Sequence, residues 1–358
     1  MKTICLTMIV KNESAILEKT LINILEHIPI HYWVISDTGS TDTTPNIIQT
    51  FFNKKQIPGE LVYHEWKDFG HNRTLVLQSA FNKTDYVFMF DADDSIQGQL
   101  LLPSLKEDMY KLQFGQSFTY YRPLLFTNRK QWKYKGVLHE FLEQIPSRTC
   151  KIIQGKYFIH SGRDGFRNQD KNKYEKDAII LEKAFYEDPG LQGRYAFYCA
   201  QSYRDAKQKE KAVEWYKKVL TIPNHWKQEY YYSCLQLGWI YQEWKQMDLA
   251  VHYWLKTVEY DRERIEGIVM ALDYFYSQQN YILINSLYHT FKSYTCVNNK
   301  LFLHQYYYQD RIEYYNAIAA YYVNDFKSGY DCCVHVLKNR KVSPSELNTI
   351  VKYLDKYK

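Results

Sequence analysis

Tyr86-Val87-Phe88-Met89-Phe90 runs straight into Asp91-Ala92-Asp93. Five apolar or aromatic residues without alternation fit a strand buried on both faces, as in a parallel sheet covered by helices. Carboxylates at its carboxyl end stand at the crevice where open α/β sheets bind ligands. Hard oxygen ligands of this kind suit Mg²⁺ or Mn²⁺ bridging phosphate oxygens. D-x-D alone is a common pattern, so the surrounding sequence has to carry the rest.

Working outward, strands are predicted at 3–10, 32–37, 60–66 and 85–91, with helices near 14–27, 43–54 and 71–82 between them. This is the βαβ rhythm of a parallel sheet. Later strands are predicted at 117–126 and 152–160. From about residue 171 the hydrophobic period becomes 3.6, as in Tyr174-Glu175-Lys176-Asp177-Ala178-Ile179-Ile180-Leu181-Glu182. The expected organisation is an α/β domain over 1–168 and an all-α domain over 169–358.

The helical half contains an internal repeat. Cys199, Ala200, Tyr203, Ala212, Tyr216 and Val219 recur as Leu237, Gly238, Tyr241, Ala250, Trp254 and Thr257, always 38 residues on. The spacing matches the tetratricopeptide pattern, whose usual period is about 34, with small residues letting paired helices approach and aromatics filling the gap. A weaker third copy uses Ala317, Ala320, Gly329, Cys333 and Val336. A solenoid of this type offers a groove for a protein or peptide acceptor, or a surface for a homodimer. A generic helical bundle is the alternative.

Bulk properties narrow the function. The 358 residues carry 46 basic and 40 acidic side chains, a formal charge of +6 without the Lys/Arg block of a nucleic-acid arm. No apolar run approaches the roughly 20 residues of a membrane-spanning helix. The short apolar N-terminus is broken by Lys11-Asn12-Glu13, so it reads as a first strand rather than an export signal. Seven cysteines, at 5, 150, 199, 234, 296, 332 and 333, show no C-x-x-C pairing, which suits free thiols in a cytoplasmic setting. The 35 tyrosines concentrate after residue 170 and serve either helix packing or a surface that stacks on carbohydrate or peptide.

The second strand ends in Ser36-Asp37-Thr38-Gly39-Ser40-Thr41-Asp42-Thr43-Thr44. Turn formation and helix capping account for Thr41 and Asp42. They do not require Asp37, whose carboxylate at the strand end could accept hydrogen bonds from a base or ribose. Met8-Ile9-Val10-Lys11-Asn12-Glu13, Asp37-Thr38-Gly39-Ser40-Thr41-Asp42, Asn72-Arg73 opening a helix, and Asp91-Ala92-Asp93, in that order, resemble the family 2 glycosyltransferases of GT-A fold. The resemblance covers roughly residues 3–165, and the appended helices resemble a subgroup in which tetratricopeptide-like repeats follow the catalytic domain.

The resemblance implies a metal-dependent, inverting transfer of a hexosyl group from a nucleotide-diphosphate sugar, UDP-sugar being favoured, to a protein, peptide or glycan. It implies nucleotide-binding roles for Thr7, Glu13 and Asp37, and for Arg73 on the diphosphate side. A guanidinium gives forked, permanently charged donors to phosphate oxygens; a surface arginine after an N-cap at Asn72 is the plainer reading. Asp93 is implied as the direct ligand of Mn²⁺ or Mg²⁺, with Asp91 near the ribose or a metal-bound water. Lys135-Gly136-Val137-Leu138-His139-Glu140 resembles the subgroup's G-x-x-H-E segment, and Ile159-His160-Ser161-Gly162 its following histidine. Glu140 is the expected base that deprotonates the acceptor, with Asp94 as second choice, because the Glu-Asp pair of more familiar family 2 enzymes has no counterpart here. His160 is expected to complete the metal shell, and His139 to orient Glu140 or touch the donor sugar. Trp132 and Tyr134 suit either sugar stacking or core packing. Two other readings compete: a helical adaptor with a degenerate nucleotide-sugar domain, and a haloacid dehalogenase-like phosphatase, whose D-x-D normally opens the fold.

Overall fold

The computed structural model describes residues 2–143, 148–294 and 300–358. The chain divides into two compact units, residues 1–208 and 209–358. In the first, β1 (Ile4–Val10), α1 (Leu17–His27), β2 (Tyr32–Asp37), α2 (Thr44–Lys55), β3 (Gly59–Tyr63), α3 (Phe69–Ala80) and β4 (Tyr86–Met89) alternate as predicted. β1 pairs in parallel with both β2 and β4, and β2 with β3. Val10 lies opposite Asp37 and Thr7 opposite Met89, so the carboxyl ends share one sheet edge.

The unbroken apolar strands follow from burial on both faces. Phe88 and Phe90 join Leu6 and Met8 in a core with Leu21, Ile24, Ile48 and Phe52 of α1 and α2. Val87 and Met89 join Cys5 and Val34 against Val76, Leu77 and Ala80 of α3.

Beyond β4 the sheet turns mixed, which the apolar run could not reveal. The elements are β5 (Asp94–Gln99), β6 (Met109–Phe114), β7 (Phe118–Thr127), the short pair β8 (Tyr134–Lys135) and β9 (Phe141–Leu142), β10 (Cys150–Ile152) and β11 (Lys156–Ser161). The strand order is β3-β2-β1-β4-β7-β6-β11-β5, with β10 also on β6. β4 is therefore antiparallel to β7 on its second side. The strand predicted at 152–160 is two strands, both parallel to β6, separated by a bend at Gly155. β5 escaped prediction because Gln97, Gly98 and Gln99 are exposed and carry little strand signal, Ile96 alone of its middle being buried.

The switch to helices falls where the period changes, but α4 (Lys173–Glu187) and α5 (Gln192–Asp205) belong to the unit that holds the sheet, which ends at Gln208 rather than at 168. The second unit holds α6 (Lys209–Thr221), α7 (Lys227–Glu243), α8 (Met247–Tyr260), α9 (Glu266–Ser277), α10 (Tyr281–Phe291), α11 (Arg311–Tyr322), α12 (Phe326–Asn339) and α13 (Pro344–Tyr357). The second copy of the repeat falls on the packed faces of α7 and α8. A Cβ at Gly238 would lie 2.2 Å from Trp254 Nε1, so the close approach there depends on glycine. Ala317, Ala320, Gly329, Cys333 and Val336 of the third copy are likewise buried, on α11 and α12. Tyr231, Tyr232, Tyr241, Tyr308, Tyr314 and Tyr315 are buried in this unit, so packing uses a good part of the tyrosine excess.

One polar centre sits inside the helical unit. Arg264 is fully buried and forms an ion pair with Glu266 at 2.6 Å, while Tyr231 and Tyr308 each donate to Glu266 Oε2 at 2.8 Å. Its remaining nitrogen reaches Gln228 Oε1 at 2.9 Å and the Leu301 carbonyl at 2.7 Å. The six cysteines among the described residues are free thiols; Cys296 lies outside those residues. No helix of the described residues is long and apolar enough to cross a membrane.

Candidate active site

The Asp37 turn is a cradle tied to the end of β1. Asp37 is buried, and its Oδ1 accepts from the backbone N–H groups of Gly39 and Ser40, both at 2.8 Å. Its Oδ2 is buried and has no partner, an acceptor left open in a place where that is costly. The loop after β1 is laced to this turn. Asn12 N donates to Ser40 Oγ, Glu13 N to Thr44 Oγ1 and Ser14 N to Asp42 Oδ2, at 2.9, 2.8 and 3.1 Å. Thr7, expected at the nucleotide, is wholly buried inside the sheet, where its hydroxyl donates to the Phe88 carbonyl.

Asn72 and Arg73 do not open a helix. α3 starts at Phe69, capped by Asp68, whose carboxylate accepts from His71 N at 2.7 Å. Asn72 is therefore inside the helix and buried, holding the preceding loop through Lys67 N and the Glu65 carbonyl. Arg73 is equally buried, at 3 % exposure, which rules out a surface arginine. Its Nε donates to Glu140 Oε1 at 2.6 Å and its Nη2 to Asp91 Oδ1, while Nη1 is buried and unpartnered. Residues 73, 91 and 140, read from three separate motifs, thus meet at one point.

Arg122 on β7 completes that cluster. Both its Nη atoms lie 3.4 Å from Asp91 Oδ2, and Nη1 is 4.0 Å from Asp94 Oδ2. The three acids at positions 91, 93 and 94 consequently differ in charge preference. Burial works to raise the Asp91 pKa, but Arg73 and Arg122 outweigh it and hold the group at about 2. Burial pushes Asp94 up to about 8, with the Asp91 charge adding to the effect and Arg122 opposing it. Asp93 is also raised, by burial and then by Asp91.

Asp93 sits under the segment after β11. A Cβ at Gly162 would lie 1.8 Å from the Asp93 carbonyl oxygen, so only glycine permits this crossing. Asn168 Nδ2 donates to Asp93 Oδ2 at 2.9 Å, and Lys173 holds Asn168 through its Oδ1. Phe166 N donates to Glu13 Oε2 at 3.2 Å. Burial raises Glu13 to about 7 against that hydrogen bond, helped by the charges of Asp93 and Asp42. Two carboxylates that repel one another beside the Asp37 cradle fit a divalent cation, which would offset both.

His160 is exposed on β11, opposite Ser95 in the antiparallel register with β5. Among the described residues, Asp91, Asp93 and His160 do not form a three-ligand group whose donor atoms lie within 4.8 Å of one another. His139, at φ +50°, stacks on Tyr198 of α5 with ring centroids 4.0 Å apart, and its carbonyl accepts from Arg194 Nε and Nη2 at 3.0 and 2.7 Å. Tyr134 lies beside Arg73, 5.8 Å from guanidinium to ring centroid, and Trp132 is in the core. Sequence reasoning missed Arg122, Asn168 and Lys173. Gly162 was the available signal for the last two, as a glycine just after a strand that ends beside the acids.

The sequence profile of the family described as Glycosyl transferase family 2 matches residues 5–189. No curated protein matches the chain. Among solved structures, glucosyl-3-phosphoglycerate synthase from Mycobacterium tuberculosis, in complex with Mn²⁺, UDP and glucosyl-3-phosphoglycerate, is 19 % identical over 26 % of this chain, with a TM-score of 0.22. That match spans about a third, 34 %, of the synthase's length. TarS 1–349 from S. aureus, in complex with UDP-GlcNAc, is 12 % identical over 67 % of this chain and 81 % of its own, with a TM-score of 0.36. BtubC from P. vanneervenii is 12 % identical over 54 % of this chain and 84 % of its own, with a TM-score of 0.37. With the family profile covering more than half of its length, this chain belongs to glycosyl transferase family 2.

Proposed function

We propose that the protein is a metal-dependent, inverting glycosyltransferase that moves a hexosyl group from a UDP-sugar to a hydroxyl of a protein, peptide or glycan. The observation that carries this reading is the convergence of Arg73, Asp91 and Glu140 at the sheet edge that also bears Asp37. Asp37 Oδ2, buried and open, accepts a hydrogen bond from the base or ribose of the donor. Arg73 is committed to two carboxylates and serves to position them. Arg122, with about a third of its side chain exposed and held at 3.4 Å, is the guanidinium better placed to meet the diphosphate.

Glu140 is the favoured base. A base has to be ionised before it can take the acceptor proton. The Arg73 Nε–H, donating to Oε1 at 2.6 Å, fixes the orientation of the Glu140 carboxylate. Asp94, pushed to about 8, holds its proton at neutral pH and is the weaker candidate. Asp93 and Glu13 are the carboxylates that would hold the cation, with His160 joining only through a change at the end of β11. A bound Mn²⁺ or Mg²⁺ would stabilise charge on the departing nucleotide diphosphate.

The test is release of UDP from UDP-sugars without acceptor, in the presence of Mn²⁺. It should depend on the metal and vanish in Asp93→Ala. Inactivity across UDP, GDP and dTDP sugars would favour a degenerate domain carrying a helical adaptor.

A further inference from the structure

We infer that Asp310, Glu313 and His335 form a second, structural cation site in the helical unit, suited to Zn²⁺ and its close relative Co²⁺. One donor atom from each residue can be chosen so that all lie within 4.8 Å of one another. Asp310 occupies the residue before α11, yet its carboxylate does not cap that helix. It turns instead toward α12, with Oδ1 3.1 Å from His335 Nε2 and 3.2 Å from Asn339 Nδ2.

The second observation points to a ligand. Asp310 is 3 % exposed and Glu313 9 %. Asp310 Oδ2 and Glu313 Oε2 are both buried and both without a hydrogen-bond partner. Two desolvated carboxylates converging with an open oxygen each are expensive unless a cation joins them. A divalent ion neutralises the pair. One imidazole nitrogen and two carboxylate oxygens are ordinary Zn²⁺ donors, leaving a fourth position for water. His335, with 47 % of its side chain exposed, provides the entry path. The ion would clamp the start of α11 to the last turns of α12. A purely structural pairing of His335 with Asp310 is the competing account, and it predicts no metal affinity.

The experiment uses the full chain carrying Asp93→Asn, which removes a carboxylate from the candidate catalytic site, stripped with EDTA and titrated with ZnCl₂ by calorimetry. One Zn²⁺ per chain should bind and raise the apparent melting temperature. Loss of outer-shell partners alone commonly weakens metal sites by about 10–100-fold, so His335→Ala and Glu313→Gln should each cost more than about tenfold and abolish the thermal shift. Visible absorption of bound Co²⁺ should disappear in the same variants. UDP binding in Mn²⁺ by the chain with Asp93 intact should be unchanged by His335→Ala. No Zn²⁺ binding by the parent, or binding of equal affinity in His335→Ala, overturns the site. Because His335 is on the surface, that variant remains informative even if Glu313→Gln fails to fold. Either outcome leaves the transferase reading untouched.

Discussion

Asp91→Asn separates two roles that a D-x-D motif confounds, binding a metal and holding arginines. In the structure Asp91 is committed to Arg73 and Arg122. Removing one partner of a buried ion pair costs about 3–5 kcal/mol. Arg73 keeps Glu140 at 2.6 Å, the asparagine oxygen still accepts a weaker hydrogen bond, and the partly exposed Arg122 regains water. A loss of about 2 kcal/mol is therefore expected. Proton linkage leads to a similar size, since holding Asp91 at about 2 rather than 3.8 corresponds to about 2–3 kcal/mol. For a unit of 208 residues this amounts to about 4–8 °C in melting temperature. Because the folded pKa is depressed, the contribution is present above the unfolded value near 3.9 and is lost as pH falls through 2. The stability gap between parent and variant should shrink below pH 4, and shrink again as pH nears 8, where Asp94 of the parent must ionise against the Asp91 charge that the variant lacks, measured by urea denaturation. Calorimetry should show UDP affinity reduced by a similar factor with and without Mn²⁺, whereas Asp93→Asn should remove only the Mn²⁺-dependent gain. An Asp91→Asn protein of parental stability that loses only the Mn²⁺-dependent gain would refute the reasoning and make Asp91 a metal ligand.

Glu140→Gln should retain UDP binding and lower transfer by about two to four orders of magnitude; parental turnover in a steady-state assay would move the base elsewhere. Truncation after Gln208 should leave a soluble protein that hydrolyses donor, while truncation after 168 removes Tyr198 and Arg194 from His139 and should give an insoluble or strongly destabilised product, as judged by size-exclusion chromatography. Glu266→Ala strands the fully buried Arg264 and should cost about 3–5 kcal/mol in chemical denaturation.

The first half of the sheet was legible because each of its strands solves a local problem. β1, β2 and β4 are covered on both faces and so read as unbroken apolar runs, and the helices between them carry the 3.6 period. The second half is held by pairing between distant segments. β5 is half polar because Gln97, Gly98 and Gln99 are exposed, and its partner β11 lies some sixty residues away, with His160 opposite Ser95. No window of sequence contains that information. The helical repeat was visible for the opposite reason, since packing of adjacent helices recurs at a fixed offset and forces small residues such as Gly238 where backbones approach.

The site shows the same division between local and distant causes. Asp37, Arg73, Asp91 and Glu140 each sit in a recognisable short pattern, and the structure brings the last three into contact. Arg122, Asn168 and Lys173 sit in no such pattern. They are defined only by where β7 and the segment after β11 pass over the acids. Yet they determine what those acids do, because a carboxylate's charge is set by its nearest cations and by its water rather than by its motif. Arg122 and Arg73 fix Asp91 as an anion. Asp94, three residues further on, meets Arg122 only at 4.0 Å and is driven toward its neutral form. Asp93, held by an uncharged asparagine, is left with repulsion to relieve. Three identical side chains in four positions are thereby sorted into an arginine clamp, a proton holder and a cation seeker by residues the motif does not contain.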